Sequence, residues 1–186
     1  MQRTSTTVVA VVGPRAHDCV EWLGRAANVA TAPVATGAGP LERAVEAWRE
    51  ANLVHTPYFV HDADPLAAVA DAWVARFEES GPVGQLEVAV AETLARWRAQ
   101  SIELPDYYLV LDADAWTPTR RHWYLGVLHA AAPPRVVPAA ADPMAVTTAI
   151  AHLGAGRWWP PMDRLLDGVD KIVPDRAGLD ADVQAP

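Results

Sequence analysis

Three aspartates carry the sharpest chemical signal in the chain. Asp112 and Asp114 close an apolar run over residues 107–116, YYLVLDADAW. Asp62 closes a shorter one over 58–64, YFVHDAD. Both runs read as buried strands that deliver carboxylates at their carboxyl ends, the edge where open α/β sheets bind ligands. The two strands are expected to be neighbours, so that Asp62 and Asp112 oppose each other and repel unless a cation or an arginine lies between them. A divalent metal, magnesium or manganese, held by Asp62, Asp112 and Asp114 answers that repulsion. Hydrogen bonds to loop amides, or pairing with arginine, are the more ordinary answer. His17 and Asp18 follow the first strand on the same edge, and His61 precedes Asp62, so a polar cluster gathers there. Arg120 and Arg121 open a helix, where their charge opposes the helix dipole. A partner, or salt bridges to Asp112 or Asp114, explains them better than stability does. His17, Asp18, Arg120 and Arg121 are therefore the expected ligand- or cofactor-binding residues. Asp64 and Asp142 each precede a proline and read as helix caps instead.

The elements that must position these groups follow from periodicity. Residues 6–12, TTVVAVV, are β-branched and apolar, a first strand broken by Gly13-Pro14. A helical pattern follows to about residue 27. Residues 29–35 form a weaker strand, which Pro33 places at a sheet edge. Gly37-Ala38-Gly39-Pro40 turns into a helix over 41–51. After the strand at 58–61, helices are expected over 65–79 and 85–99, one more than a simple crossover needs. One of them is expected to lie across the sheet edge or to act as a cover. Residues 106–111 read as the central strand, and 118–131 as a helix opened by Thr117-Pro118. Residues 134–138, PRVVP, are the last strand, and 143–154 the last core helix. The order β-α-β-α-β-α-α-β-α-β-α predicts a three-layer α/β/α fold on a mainly parallel five-stranded sheet, with Rossmann-like or flavodoxin-like topology. One α/β domain is expected over residues 1–173, followed by a disordered acidic tail over 174–186.

Composition narrows the functional classes. The 186 residues suffice for one domain with a sizeable core. With 15 basic and 23 acidic residues the net charge is -8, which argues against general nucleic-acid or anionic-membrane binding. No stretch approaches the roughly 20 apolar residues of a membrane span, and the amino terminus lacks the shape of a signal peptide, so a cytoplasmic protein is expected. Cys19 is the only cysteine, too few for a disulfide or a multi-cysteine zinc site. Lys171 is the only lysine. Among the eight tryptophans, Trp22, Trp48, Trp73 and Trp97 fall on helical stripes. Residues 157–161, RWWPP, put Arg157, Trp158 and Trp159 in a rigid aromatic and basic segment. That composition fits an anchor for a protein partner or for self-association. It fits equally a plug wrapped over the sheet edge.

Several motifs resemble known families. A hydrophobic strand ending in Asp-x-Asp resembles the metal-binding motif of nucleotide-sugar glycosyltransferases. Over residues 106–128 that resemblance implies that Asp112 and Asp114 hold the metal of a sugar nucleotide. The same strand resembles a Walker B strand, and VVAVVGPR resembles the opening of a P-loop NTPase. A P-loop then requires Gly-x-x-x-x-Gly-Lys-Ser/Thr. Counted from Gly13, those last places hold Asp18, Cys19 and Val20, which implies loss of ordinary hydrolysis. Gly13, Asn28-Val29 and Asp62-Ala63-Asp64 resemble the order of a Toprim domain, with Val12 and Gly13 where its early glutamate belongs. Cys19 and Arg25 share the Cys-x5-Arg spacing of cysteine phosphatases, with VEWLG between them reading as helix. Gly-x-Ser-x-Gly is missing, and so is a complete Gly-x-Gly-x-x-Gly after a strand. Neither an α/β serine hydrolase nor a standard dinucleotide fold is expected.

The expected function is that of a nucleotide-fold-like α/β domain acting as a binding or regulatory protein without P-loop NTP hydrolysis. The alternative is a divalent-metal-dependent enzyme on a phosphate-containing substrate, a nucleotide or sugar nucleotide, using the DxD carboxylates.

Overall fold

Strand β1 (Thr7–Val12) is buried along almost its whole length, as a continuous β-branched run in a covered sheet requires. The computed structural model describes residues 6–32 and 38–174. In it β1 pairs in parallel on both sides, with β3 (Tyr58–His61) on one flank and β4 (Tyr107–Leu111) on the other. β2 (Val29–Thr31) and β5 (Val136–Ala139) are the edges. The sheet is five-stranded and all-parallel, in the order β2-β3-β1-β4-β5. Pro33, which places β2 at an edge from sequence, lies outside the described residues. β1 rather than β4 is the middle strand, and β3 and β4 are not neighbours. This corrects the expectation that the two aspartate-bearing strands adjoin. Apolar periodicity marks a strand as buried on both faces, and it carries no information about which strand lies beside it.

Alternation along the strands sorts side chains to two faces. On one face Val9, Val11, Leu109 and Leu111 meet α1 (Ala16–Leu23) and α7 (Pro143–Ala151) through Cys19, Val20, Leu23, Val146 and Ile150. On the other, Val8 and Phe59 are covered by Ala47 and Ala51 of α2 (Pro40–Ala51). Ala10, Val12, Tyr108 and Val110 share that second face and pack with α3 (Ala67–Phe77) and α4 (Gln85–Arg98). The same cluster takes in α8 (Met162–Leu166) and the helical stretch 118–131. That stretch is α5 (Pro118–His122), a π-helical segment (Trp123–Leu128) and α6 (His129–Ala131). The result is a three-layer α/β/α sandwich. α4 packs on α3 and α8 as a cover over its own layer. Asp142 caps α7, accepting from Met144 N–H and Ala145 N–H at 3.0 Å each. Thr117 caps α5 by accepting from Arg120 N–H at 3.3 Å.

Residues 157–161 run across the amino ends of β4 and β5. Trp159 is buried, donates from Nε1 to Pro105 O at 2.8 Å, and meets the Tyr108 ring edge-on. Arg135 lies over the Tyr107 and Trp158 rings at 4.7 and 4.3 Å. It also donates to Gly156 O at 3.3 Å and Arg157 O at 3.4 Å. The segment is a plug closed by its own chain. Trp159 is therefore withdrawn from the surface that an anchor built on Arg157, Trp158 and Trp159 requires. Trp73 and Trp123 are fully buried, whereas Trp22, which also falls on a helical stripe, is 38% exposed. Among the described residues no helix is long and apolar enough to cross a membrane. The tail expected over 174–186 lies, after Pro174, outside the described residues.

Candidate functional site

The crossover after β1 passes over one face of the sheet, while those after β3 and β4 pass over the other. Their first turns diverge at the carboxyl edge, and such divergence leaves a crevice in doubly wound sheets. Here it is a cleft of about 440 Å³. Gly13, Arg15 and His17 line it from the β1–α1 turn, Asp62, Ala63 and Asp64 from the end of β3. Arg43 of α2, Asp71 of α3, Arg120 of α5 and Tyr124 of the π-helical segment complete its walls.

Asp62 is largely buried on the walls, its side chain 13% exposed. Arg43 donates from one terminal nitrogen to Asp62 Oδ1 at 2.8 Å, and His17 Nδ1 lies 3.5 Å from Oδ2. An arginine thus answers the charge of Asp62, and it comes from α2 rather than from Arg120 or Arg121. Arg120 pairs with Asp71, and Arg121 Nη1 lies 3.5 Å from Asp114 Oδ1. The expected salt bridge to Asp114 therefore forms, through Arg121. Asp18 sits in the first turn of α1, exposed and 3.8 Å from Arg15.

The structure does not bring Asp62, Asp112 and Asp114 together. β1 separates the first from the other two. Asp112 adopts the left-handed conformation, φ 44°, and its Oδ1 accepts from Ala141 N–H at 2.9 Å. It ties the end of β4 to the turn before α7. The Asp114 side chain is fully exposed. Among the described residues no group of three or more His, Cys, Asp or Glu side chains is placed to hold a metal ion. Asparagine tolerates φ > 0 and keeps the carbonyl acceptor. Asp112→Asn is therefore expected to change stability by less than ~1 kcal/mol, and Asp112→Ala to lose ~1–2 kcal/mol, both read by urea unfolding. A metal-ligating Asp112 would instead make the asparagine variant as inactive toward metal as the alanine one.

Beneath the cleft lies a polar group that sequence reasoning misses. Asp64 is buried and accepts at 2.7 Å from both Tyr108 Oη and Tyr124 Oη, and at 2.8 Å from Leu66 N–H. α3 starts only at Ala67, so Asp64 braces the turn before the helix instead of capping it. Burial and the adjacent carboxylate hold both phenols protonated well above the usual tyrosine range. Tyr108 is hidden in an apolar strand pattern and Tyr124 in a helical one, so neither advertises a hydroxyl pointed at Asp64. Arg15, Arg43 and Asp71 likewise carry no local motif. The π-helical turn that carries Tyr124 is a geometry enriched at functional sites.

Two buried groups titrate in opposite senses. His61 is buried, and its Nδ1 accepts from Ala63 N–H at 3.2 Å. Burial chiefly pulls its pKa down to about 4. Between pH ~6.5 and ~4 the unfolded chain therefore holds a proton on His61 that the native state lacks, and stability falls as pH drops. Burial raises the pKa of Asp64, against its three hydrogen bonds. The native state thus takes up that proton before the unfolded chain does, and Asp64 favours folding as pH drops. Asp64→Asn removes the opposing contribution. Urea unfolding across this pH window is expected to show a steeper acid loss in the variant than in the wild type.

Cys19 is buried on α1, and burial raises its thiol pKa. Residues 19–23 are helical and Arg25 lies 3.8 Å from Glu21, so the phosphatase-like spacing does not form a phosphate loop. Ala16 N–H donates to Gly13 O at 3.2 Å, closing the β1–α1 connection in one tight turn. Comparison with protein-family models, with curated proteins and with solved structures finds no match for this chain. Fold and cleft define a doubly wound, all-parallel α/β protein with a charged crevice at its switch point.

Proposed function

We propose that this chain is a binding or regulatory domain that works without P-loop NTP hydrolysis, and that the cleft at the carboxyl ends of β1 and β3 is its ligand site. The observation that carries this reading is the cleft itself: it sits at the switch point, between two arginine–aspartate pairs and over a buried, hydrogen-bonded carboxylate. Those groups suit recognition of a small polar ligand. The single tight turn after β1, and a chain whose only lysine is Lys171, support the absence of a P-loop reaction. Among the described residues no activated nucleophile lines the cleft.

The test combines two measurements on the full chain. Phosphate release from ATP or GTP with magnesium or manganese should match the protein-free control. Thermal melting against a panel of small polar metabolites should reveal at least one that raises Tm. Arg43→Ala should abolish that rise while leaving the chain folded. Metal-dependent phosphate release, or a rise that survives Arg43→Ala and Arg120→Ala alike, would sink the proposal.

A further inference from the structure

We propose that the ligand of this cleft is a small organic phosphate monoester, anchored by Arg43 and Arg120 in exchange for Asp62 and Asp71. The inference rests on the cleft being the ligand site and adds the chemical class. The chain as a whole is acidic, at -8, whereas the cleft is charge-balanced: Arg15, Arg43 and Arg120 stand against Asp62, Asp64 and Asp71, with His17 beside them. With as many arginines as carboxylates, and one carboxylate buried with a raised pKa, the cleft opposes an anion less than the rest of this acidic chain does.

The arginines are held but not saturated. Arg43 and Arg120 each meet a carboxylate through one terminal nitrogen. Their other guanidinium nitrogens make no hydrogen bond among the described residues. A guanidinium carries five donors in a fork that matches phosphate oxygens. Both side chains are about one-third exposed, 30% for Arg43 and 37% for Arg120, so they are reachable yet partly desolvated. Arg15 stands beside them in the left-handed conformation at φ 60°, uncommon for a residue of its kind. Among the described residues its only ion pair is a loose one to exposed Asp18 at 3.8 Å.

Charge balance selects the class. A ligand that takes Arg43 and Arg120 from Asp62 and Asp71 must replace two negative charges. A phosphate monoester carries nearly two at neutral pH, and a monocarboxylate carries one. Asp64 lies below with both oxygens accepting from tyrosines, and burial raises its pKa, which lessens its repulsion of an anion. The volume of about 440 Å³ leaves room for an organic part beside the phosphate.

Calorimetry and thermal melting of the full chain with phenyl phosphate, inorganic phosphate and benzoate, at matched ionic strength, test this. Phenyl phosphate should bind and raise Tm, inorganic phosphate should bind more weakly, and benzoate should do neither. Arg43→Gln and Arg120→Gln should each weaken phenyl phosphate at least tenfold, while the exposed Arg49→Gln should leave it unchanged. Asp71→Asn removes a competing carboxylate from a half-exposed position, so it should fold normally and tighten binding severalfold. General salt effects would not produce that gain. No binding of either phosphate, equal binding of benzoate, or Asp71→Asn failing to tighten would overturn the assignment. If adenosine or spermidine instead raises Tm in a manner lost with Arg43→Gln, the phosphate class falls and the cleft remains the site. If no compound of any charge binds, both fall.

Discussion

Gly13→Ala is expected to cost roughly 4 kcal/mol, summed from ~1–3 kcal/mol for a disallowed backbone and ~1–3 kcal/mol for overpacking. Gly13 holds φ at +118°, a conformation that side chains oppose. The register brings Val12 opposite Val110, so Gly13 falls level with Leu111. An added Cβ would lie 2.6 Å from Leu111 O and 2.7 Å from Cζ2 of Trp116. Backbone cannot yield there without breaking the β1–β4 ladder, and Trp116 is itself packed edge-on against Tyr124 at 5.1 Å. The loss would be a large share of the 5–15 kcal/mol typical of a domain. Urea unfolding should show a lower midpoint with an unchanged slope. Gly154→Ala is the control: its Cβ meets nothing within 4 Å, and stability should move by less than ~0.5 kcal/mol. A wild-type midpoint in Gly13→Ala would mean that the β1–α1 turn can relax, and the tight floor of the cleft would not be a fixed feature.

Trp159→Ala is expected to lose about 4 kcal/mol, the usual range for emptying a buried aromatic site being ~3–5 kcal/mol. The ring is 5% exposed and packs with Tyr108 inside the cluster that holds α3 and α8. Its removal also deprives Pro105 O of the indole donor. Trp158→Ala should cost less, ~1–2 kcal/mol, because that ring is only half-buried, at the margin of the same cluster and under the Arg135 guanidinium. Denaturant unfolding gives the two values, and sedimentation gives the mass. If Trp159→Ala left unfolding unchanged and altered the mass in solution, residues 157–161 would be an interface and not a plug.

The contrast between these two sites shows what local pattern can and cannot reveal. Strand β3 runs over Tyr58–His61 as the apolar pattern predicts, and β4 begins one residue later than expected. Asp142 and Thr117 cap their helices because a cap needs only its own next three residues. By contrast, the helix expected to open at Asp64-Pro65 begins at Ala67, since the Asp64 carboxylate is taken by two tyrosines 44 and 60 residues away. Residues 118–131 are helical as read, but the interior widens to π geometry where Trp123 enters the core and Tyr124 reaches Asp64. Strand alternation could not predict that β1 stands between the two aspartate-bearing strands.

The three aspartates of the opening motif thus separate into three roles. Asp62 faces Arg43 in the cleft, Asp112 braces the turn before α7, and Asp114 points to solvent. By itself the amino-acid sequence determined the α/β class, the buried strands, most helices, the caps at Thr117 and Asp142, and the edge of the sheet where carboxylates collect. Those features depend on side chains within a few residues of one another, which periodicity and capping rules capture. Strand order, the partner of each charge and the burial of Asp64 and Trp159 were decided only by the tertiary structure. They depend on which segments distant in the chain come to lie together, and that is set by the packing of whole layers.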